Sequence, residues 1–260
     1  MNRIQRGQDA IGIVGGMGSV ATAGFFSALV RAFPGEKEWD RPRIVVDNAC
    51  QMPSRVRALL RGEGKDELIS RLADHMSGLV NLGCTDIVLC CNTSHVFLPE
   101  VLPIVRKRCE GKPFRLRHIL RILGEDLRER GIKQVSLLAT EGTLDAGIYP
   151  AVFLEYGVIV DDEGKAGYPQ LRALIEMVKQ DMVDDESLMQ FIALVNRQAR
   201  EDVVLGCTEF PILRDMLGER KFLLNAVLHD PLEATIRRLV RDYMGEVDLV
   251  EDSPAEIRER

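Results

Sequence analysis

The chain has 260 residues, 46% hydrophobic and 28% charged, which fits an ordinary globular protein of one large domain or two small ones. Its formal net charge of -6, from 40 Asp+Glu against 34 Lys+Arg, disfavours a general nucleic-acid binder, which needs a basic face, but allows a small anionic substrate held by a few local cations. The six cysteines show no paired metal-ligand spacing, no apolar run reaches about 18 residues, and the first residues lack a signal-peptide core; these features predict a cytoplasmic protein with reduced thiols, no membrane segment and no bound metal.

In chain order, short runs rich in Val, Ile and Leu predict strands at 10–16, 43–49, 86–91, 134–140, 157–162, 202–207 and 222–227. They are nearly continuous in apolar residues, as buried parallel strands are. Helical patterns fall between them at 19–33, 65–82, 117–130, 168–181, 185–200 and 231–244; in the second, Leu68, Leu72, Met76 and Leu79 recur at helical spacing. Strand alternating with helix is the signature of an α/β fold. Residues 247–260 read as a polar C-terminal tail.

Two stretches share the letters LGCT, at 82–85 and at 205–208. Ligands of open α/β sheets bind beyond the carboxyl ends of the strands. Cys84 precedes its strand and so lies at the wrong end, whereas Cys207 follows its strand. The counterpart of Cys207 is therefore Cys91, which closes "DIVLCC". Side chains alternate along a strand, so Cys90 and Cys91 cannot face the same side. Cys50, Cys84, Cys90 and Cys109 read as small buried apolar residues.

With these residues in view, the chain resembles the aspartate/glutamate racemase superfamily, its aspartate racemase branch in particular. Four stretches carry the resemblance: "IGIVGGMGSVAT" (11–22), "CNTSH" (91–95), "LLATEGTLDAGIY" (137–149) and "LGCTEFP" (205–211). It implies two similar domains, each a parallel sheet flanked by helices, facing across a central cleft. The boundaries expected are 1–115 for the first domain, with 212–246 packing back on it, and 116–211 for the second. It also implies a racemase that uses neither pyridoxal phosphate nor metal, acting on an acidic amino acid, aspartate first, with no nucleic-acid or membrane partner; a homodimer is a further implication.

The chemistry suits the residues. One base tends to return an α-proton to the face it left, whereas two groups on opposite faces invert the centre. Cys91 and Cys207 are the expected pair. A free thiol has a pKa of about 8.5, so the basic member needs help from helix amides or cations. The family's carboxylate-binding Arg matches Arg55 in "QMPSRV", although Ser54 and Val56 replace the family's Asp and Thr. The family's Lys is best matched by Lys179, with Lys165 the weaker match. Gly16, Met17 and Gly18 would bring backbone amides to the substrate. Asn92, Thr93, Thr140, Gly142, Thr143 and Thr208 suit carboxylate binding, and Thr140 equally suits a helix N-cap. Glu209 either orients groups beside Cys207 or is an ordinary first-turn acid. His95 and His229 are further candidates; Asn225, in "NAV", stands where the family has an Asp.

Other readings stay open at this point. Residues 16–21, "GMGSVA", satisfy G-x-G-x-x-A after a strand, and Asp47 would serve as the ribose-binding acid of a dinucleotide site. Within the superfamily, a glutamate or broad-specificity racemase, a maleate isomerase or a decarboxylase remains, although a decarboxylase needs only one Cys. A non-catalytic amino-acid-binding protein is the alternative from another class.

Overall fold

The computed structural model describes residues 10–35, 37–161 and 167–244. Two parallel sheets of four strands form its frame. The first sheet has the order β2-β1-β3-β4, from β1 (Ala10–Gly15), β2 (Arg43–Asn48), β3 (Asp86–Leu89) and β4 (Arg115–Arg117). The second has the order β6-β5-β7-β8, from β5 (Gln134–Ala139), β6 (Ile159–Asp161), β7 (Asp202–Gly206) and β8 (Val227–His229). The two sheets thus repeat one topology, and in each the first and third strands in sequence lie at the centre. The expected α/β class with two similar, facing domains is what the structure has. No helix among the described residues is long and apolar enough to cross a membrane.

Helices lie where the apolar periodicity places them. Helix α1 (Ser19–Ala32) follows the first turn, α3 (Lys65–Asn81) buries the expected Leu68, Leu72, Met76 and Leu79, and α5 (Ile119–Glu129) buries Ile119, Leu120, Leu123 and Leu127. Helices α8 (Tyr168–Lys179), α9 (Asp185–Asn196) and α11 (Pro231–Met244) match the remaining patterns. Asp184 and Ser187 close a capping box at the start of α9, which satisfies two amide donors that the first turn leaves open. Shorter helices fill stretches that the periodicity left blank: α2 (Arg55–Arg61), α4 (Leu98–Arg108), α6 (Glu141–Asp145), α7 (Ile148–Leu154) and α10 (Phe210–Met216). Of these, α2, α6, α7 and α10 have too few turns to display a period against their flanking loops, whereas α4 is as long as α5 but carries Pro99 and Pro103, which read as breakers.

Alternation along the strands sorts the side chains into three cores. Ile11, Ile13, Val88 and Cys90 from the first sheet join Val135, Leu137, Ala139 and Val204 from the second in one central core, together with α5 and α11. The opposite faces carry Val14, Ile87, Leu89 and Cys91 under α3 and α4, and Leu138, Val203, Leu205 and Cys207 under α8, α9 and α10. Cys90 and Cys91 therefore fall on opposite faces, as period-two geometry requires.

Two expectations need correction. The strand placed at 222–227 is instead a 3-10 turn over Gly218–Leu223 followed by β8 at Val227–His229. Of the apolar letters of 222–227, Leu223, Leu224 and Ala226 pack, partly buried, against the outer core of the second sheet, whereas Phe222 is exposed. The segment 212–246 does not return to the first domain as a unit. Strand β8 pairs with β7 and completes the second sheet. Only α11 reaches back, packing on α1 while it also stays against α5. Arg117 pairs with Asp86 (2.6 Å) and with Asp242, and the Tyr243 hydroxyl donates to Asp86 Oδ2 (3.2 Å), so the end of α11 is pinned to the first sheet. The tail at 247–260 and Lys165 lie outside the described residues.

Candidate active site

Four turns leave the carboxyl ends of the four central strands: residues 16–18 after β1, 90–92 after β3, Thr140 after β5 and Cys207 after β7. The two sheets point these ends at one another. Thr93 comes from the first sheet's turn and Thr140 and Thr143 from the second's. Their hydroxyls form a closed triangle of hydrogen bonds, with Oγ1 separations of 3.2 Å (93–140), 2.8 Å (93–143) and 2.9 Å (140–143). Thr140 also accepts from the Thr143 amide, so it caps α6 as well.

The cysteines differ in their surroundings. Cys91 and Cys207 are each 6% exposed, with Cys91 just past β3 and Cys207 just past β7. The Cys207 thiol donates to Glu209 Oε2 (2.9 Å), and the Thr208 hydroxyl donates to the same oxygen (3.2 Å). Burial holds the Cys207 thiol well above its ordinary range, and the Glu209 carboxylate adds to this. Cys90 is raised by burial first. Cys84 is raised by burial against the opposing charge of Arg43 and packs at the far end of the first sheet. Cys109 is buried as expected, but Cys50 is exposed, because it lies in the loop after edge strand β2.

Arg55 opens α2. Its guanidinium donates to the carbonyls of Pro53 (2.9 Å) and Met17 (3.0 Å), while its buried Nε finds no partner and no carboxylate pairs with it among the described residues. The two departures beside it have structural uses. Ser54 caps α2 by accepting from the Arg57 amide (3.3 Å), and Val56 packs on Gly142, where an added Cβ would meet Val56 Cα at 3.3 Å. Gly142 is therefore a point of contact between α2 and α6. Lys179 Nζ donates to Glu176 (2.9 Å) and lines a cavity of about 110 Å³ with Gly18, Val178 and Glu209.

Several candidates are placed differently from the sequence expectation. Gly16, at φ 80°, cannot offer its amide to a substrate, because that N–H donates to Thr22 Oγ1 (3.0 Å). Its glycine is required because a Cβ there would sit 2.5 Å from the backbone of Ala49 and Cys50. Met17 contributes its carbonyl to Arg55 and its sulfur to the Ser94 hydroxyl (3.2 Å). Gly18 lies against Glu209, so a pyrophosphate docking on the start of α1 would have to displace that carboxylate; Asp47, the acid of the dinucleotide reading, is bonded to His75 (2.6 Å). His95 is buried, with Nδ1 on the Cys91 carbonyl (2.9 Å), Nε2 unpartnered among the described residues, and its ring against His118 at 4.7 Å between centroids. Burial lowers its pKa to about 4, so it is a neutral spacer behind Cys91.

His229 is not at the cleft. Its Nε2 bonds Asp202 (2.7 Å), the first residue of β7, and its Nδ1 faces Arg130, both at the amino ends of the strands. Asn225 precedes β8 and accordingly lies at that same end, where its amide donates to Asn196 Oδ1 (2.8 Å). The residue that leaves β8 at the cleft end is Asp230. It is buried, it accepts from the Leu232 amide (2.9 Å), and burial raises its pKa to about 6 despite the opposing charge of Arg214. Tyr149 was also missed. It is fully buried, its hydroxyl donates to Asn92 Oδ1 (2.8 Å), and burial first, then the nearby Asp230 carboxylate, hold its pKa well above the ordinary value. Its only sequence signal was a polar-tipped aromatic at the end of the 137–149 motif; that of Asp230 was hidden by the shifted last strand.

A profile of the Asp/Glu/hydantoin racemase family matches residues 14–239. A glutamate racemase of Desulforudis audaxviator is 29% identical over 180 residues, covering 69% of this chain and 63% of that protein. The alignment thus spans less than two thirds of that relative's length. The broad specificity amino-acid racemase RacX of Bacillus subtilis is 25% identical over 213 residues, 79% of this chain and 87% of that protein. Among solved structures, an aspartate racemase of Picrophilus torridus superposes with a TM-score of 0.71 at 23% identity, over 91% of this chain and 94% of that one. A glutamate racemase of Thermus thermophilus superposes with a TM-score of 0.59 at 21% identity, over 92% and 82%. With the doubled parallel sheet and a family profile that runs through both strand-end cysteines, the chain belongs to the Asp/Glu/hydantoin racemase family.

Proposed function

We propose that this chain racemises an acidic amino acid, aspartate first, without a cofactor, with Cys91 and Cys207 as the two acid/base groups. The observation that carries the reading is their placement. Each lies just past the carboxyl end of a central strand, one in each of two facing sheets, and the turn that follows Cys91 is joined to the second sheet by the Tyr149–Asn92 hydrogen bond. Cys207 rests as a thiol, held so by burial and by Glu209. Cys91 as thiolate then removes the α-proton from one enantiomer, and the Cys207 thiol returns a proton to the opposite face. For the other enantiomer the roles exchange. Arg55, which has no carboxylate partner among the described residues, and Lys179, at the cavity beside Glu209, supply positive charge for the two carboxylates of the substrate.

Glutamate or broad specificity is the second reading, favoured by the names of the two sequence relatives above. Each enantiomer of aspartate and of glutamate, incubated in deuterated water, tests both. Deuterium at Cα together with loss of optical activity is expected for aspartate. Exchange confined to glutamate would transfer the assignment to the second reading. No exchange with any amino acid would leave a non-catalytic binding protein and sink the enzyme assignment.

A further inference from the structure

We propose that Glu209 is the proton acceptor through which Cys207 changes from thiol to thiolate, and that it does not hold substrate; this rests on the two-cysteine reading above. The geometry is that of a proton-sharing pair: Cys207 Sγ donates to Glu209 Oε2 at 2.9 Å, and the Thr208 hydroxyl on the same oxygen fixes the carboxylate's rotamer. Glu209 is 2% exposed. Its second oxygen, Oε1, has no partner among the described residues and is aimed at Gly18, at the cavity of about 110 Å³ that Lys179 also lines. A buried carboxylate repels a substrate carboxylate, so the anion-holding group at this cavity is Lys179.

The transfer balances simply. The S–H bond breaks, its electron pair stays on sulfur, and the proton forms an O–H bond with Oε2. The pair carries one negative charge before and after, so no new charge is created in a buried place, where isolated charge is costly. Lys179 lines the same cavity as Glu209, so its positive charge lies close to that single negative charge. A racemase needs Cys207 as an acid for one enantiomer and as a base for the other. The carboxylate gives the thiol a place to leave its proton before the second case.

The test compares Glu209→Gln with Glu209→Asp. Gln keeps the length and the acceptor oxygen but takes no proton; Asp keeps the carboxylate but is shorter. We expect kcat/KM to fall in the order wild type, Asp, Gln, with Gln down at least ~100-fold, the lower end of what a proton-transfer group contributes. The loss should be equal from both enantiomers, because the equilibrium constant of racemisation is one. If Gln is as active as Asp or more so, Glu209 is a spacer and the proposal is overturned. A second measurement needs no substrate: the pH profile of Cys207 alkylation by iodoacetamide, read on its peptide by mass spectrometry. In Glu209→Gln the profile should move to lower pH, because the neighbouring negative charge is gone. An unmoved profile overturns the proposal even if racemisation is lost. A moved profile in a chain that racemises nothing supports the Glu209–Cys207 couple and sinks only the racemase reading.

Discussion

Gly18 and Glu209 meet across the two halves of the molecule: a methyl group added to Gly18 would lie 2.5 Å from Glu209 Oε1. Gly18 has an ordinary extended backbone, at φ -127°, so alanine there brings no backbone strain. It only pushes on the carboxylate that holds the Cys207 thiol. Gly18→Ala should lower racemisation at least about tenfold while costing roughly 1–2 kcal/mol of stability, the cost of a slightly overfilled contact. Gly24→Ala in the same helix is the control. A Cβ there meets nothing within 4 Å, and the change should stabilise by about 0.5–1 kcal/mol with full activity. Steady-state kinetics and urea unfolding read both; an active Gly18→Ala protein would mean that Glu209 tolerates displacement.

The two LGCT copies make opposite predictions. Cys91→Ala and Cys207→Ala should each reduce racemisation by ~100-fold or more, the scale of losing an acid/base group. Cys84 packs at the amino end of β3, near Gly12 and Leu79, and Cys84→Ala should leave kcat unchanged within about twofold. An inactive, folded Cys84→Ala protein would invalidate the assignment of the catalytic end of the sheet.

The hydroxyl triangle of Thr93, Thr140 and Thr143 joins residues 47 and 50 positions apart. Thr143 is fully buried, so Thr143→Val keeps its shape and removes its two side-chain bonds. The loss should be about 0.5–1.5 kcal/mol, because Thr93 and Thr140 keep their bond to each other and each loses the one to Thr143. KM for the amino acid should rise with it, since both turns face the cleft. Unchanged unfolding and unchanged KM together would reduce the triangle to an incidental contact.

Asp230 and His95 give stability two opposed dependences on pH. The folded-state pKa of Asp230 is raised to about 6, so its contribution is complete below the ordinary carboxylate range and is lost as pH rises through about 6. That of His95 is lowered to about 4, so the folded state resists its protonation and stability falls as pH drops from about 6.5 towards 4. Asp230→Asn keeps the oxygen that accepts from the Leu232 amide and removes the first dependence. The variant should exceed the wild type by roughly 2–3 kcal/mol above pH 6, from a shift of about two pKa units, and the two should converge near pH 4. Urea titrations at pH 4, 5, 6 and 7 test this; parallel curves would show that Asp230 is ionised at little cost in the folded protein.

Much of the fold was legible in the order of residues. Continuous apolar runs separated by helical periods define a parallel α/β chain, because such strands are covered on both faces and carry few polar positions. The strand-end rule then separated Cys91 and Cys207 from Cys84 and Cys90 by chain position and period-two alternation alone. Short elements escaped. Helix α2, which carries Arg55, is 7 residues long, and β8 is 3, so neither shows a period, and the shifted last strand drew attention to His229 and Asn225. Once Val227 begins the strand, Asn225 falls before it at the far end, His229 closes the strand with its side chain turned back to Asp202, and Asp230 takes the place by the cleft.

The sequence by itself determined which residues stand at the carboxyl ends of the central strands, because that depends only on local pattern and direction of the chain. Only the tertiary structure decided what those residues touch: Gly16 spending its amide on Thr22, Gly18 giving room to Glu209, Tyr149 reaching Asn92, and Glu209 receiving the Cys207 thiol. Apart from the last, which spans two residues, these contacts join places far apart in the chain or turn on which neighbour reaches a group first. They exist because two similar sheets bury a common core and so bring their strand ends together, a consequence of packing that no local pattern encodes.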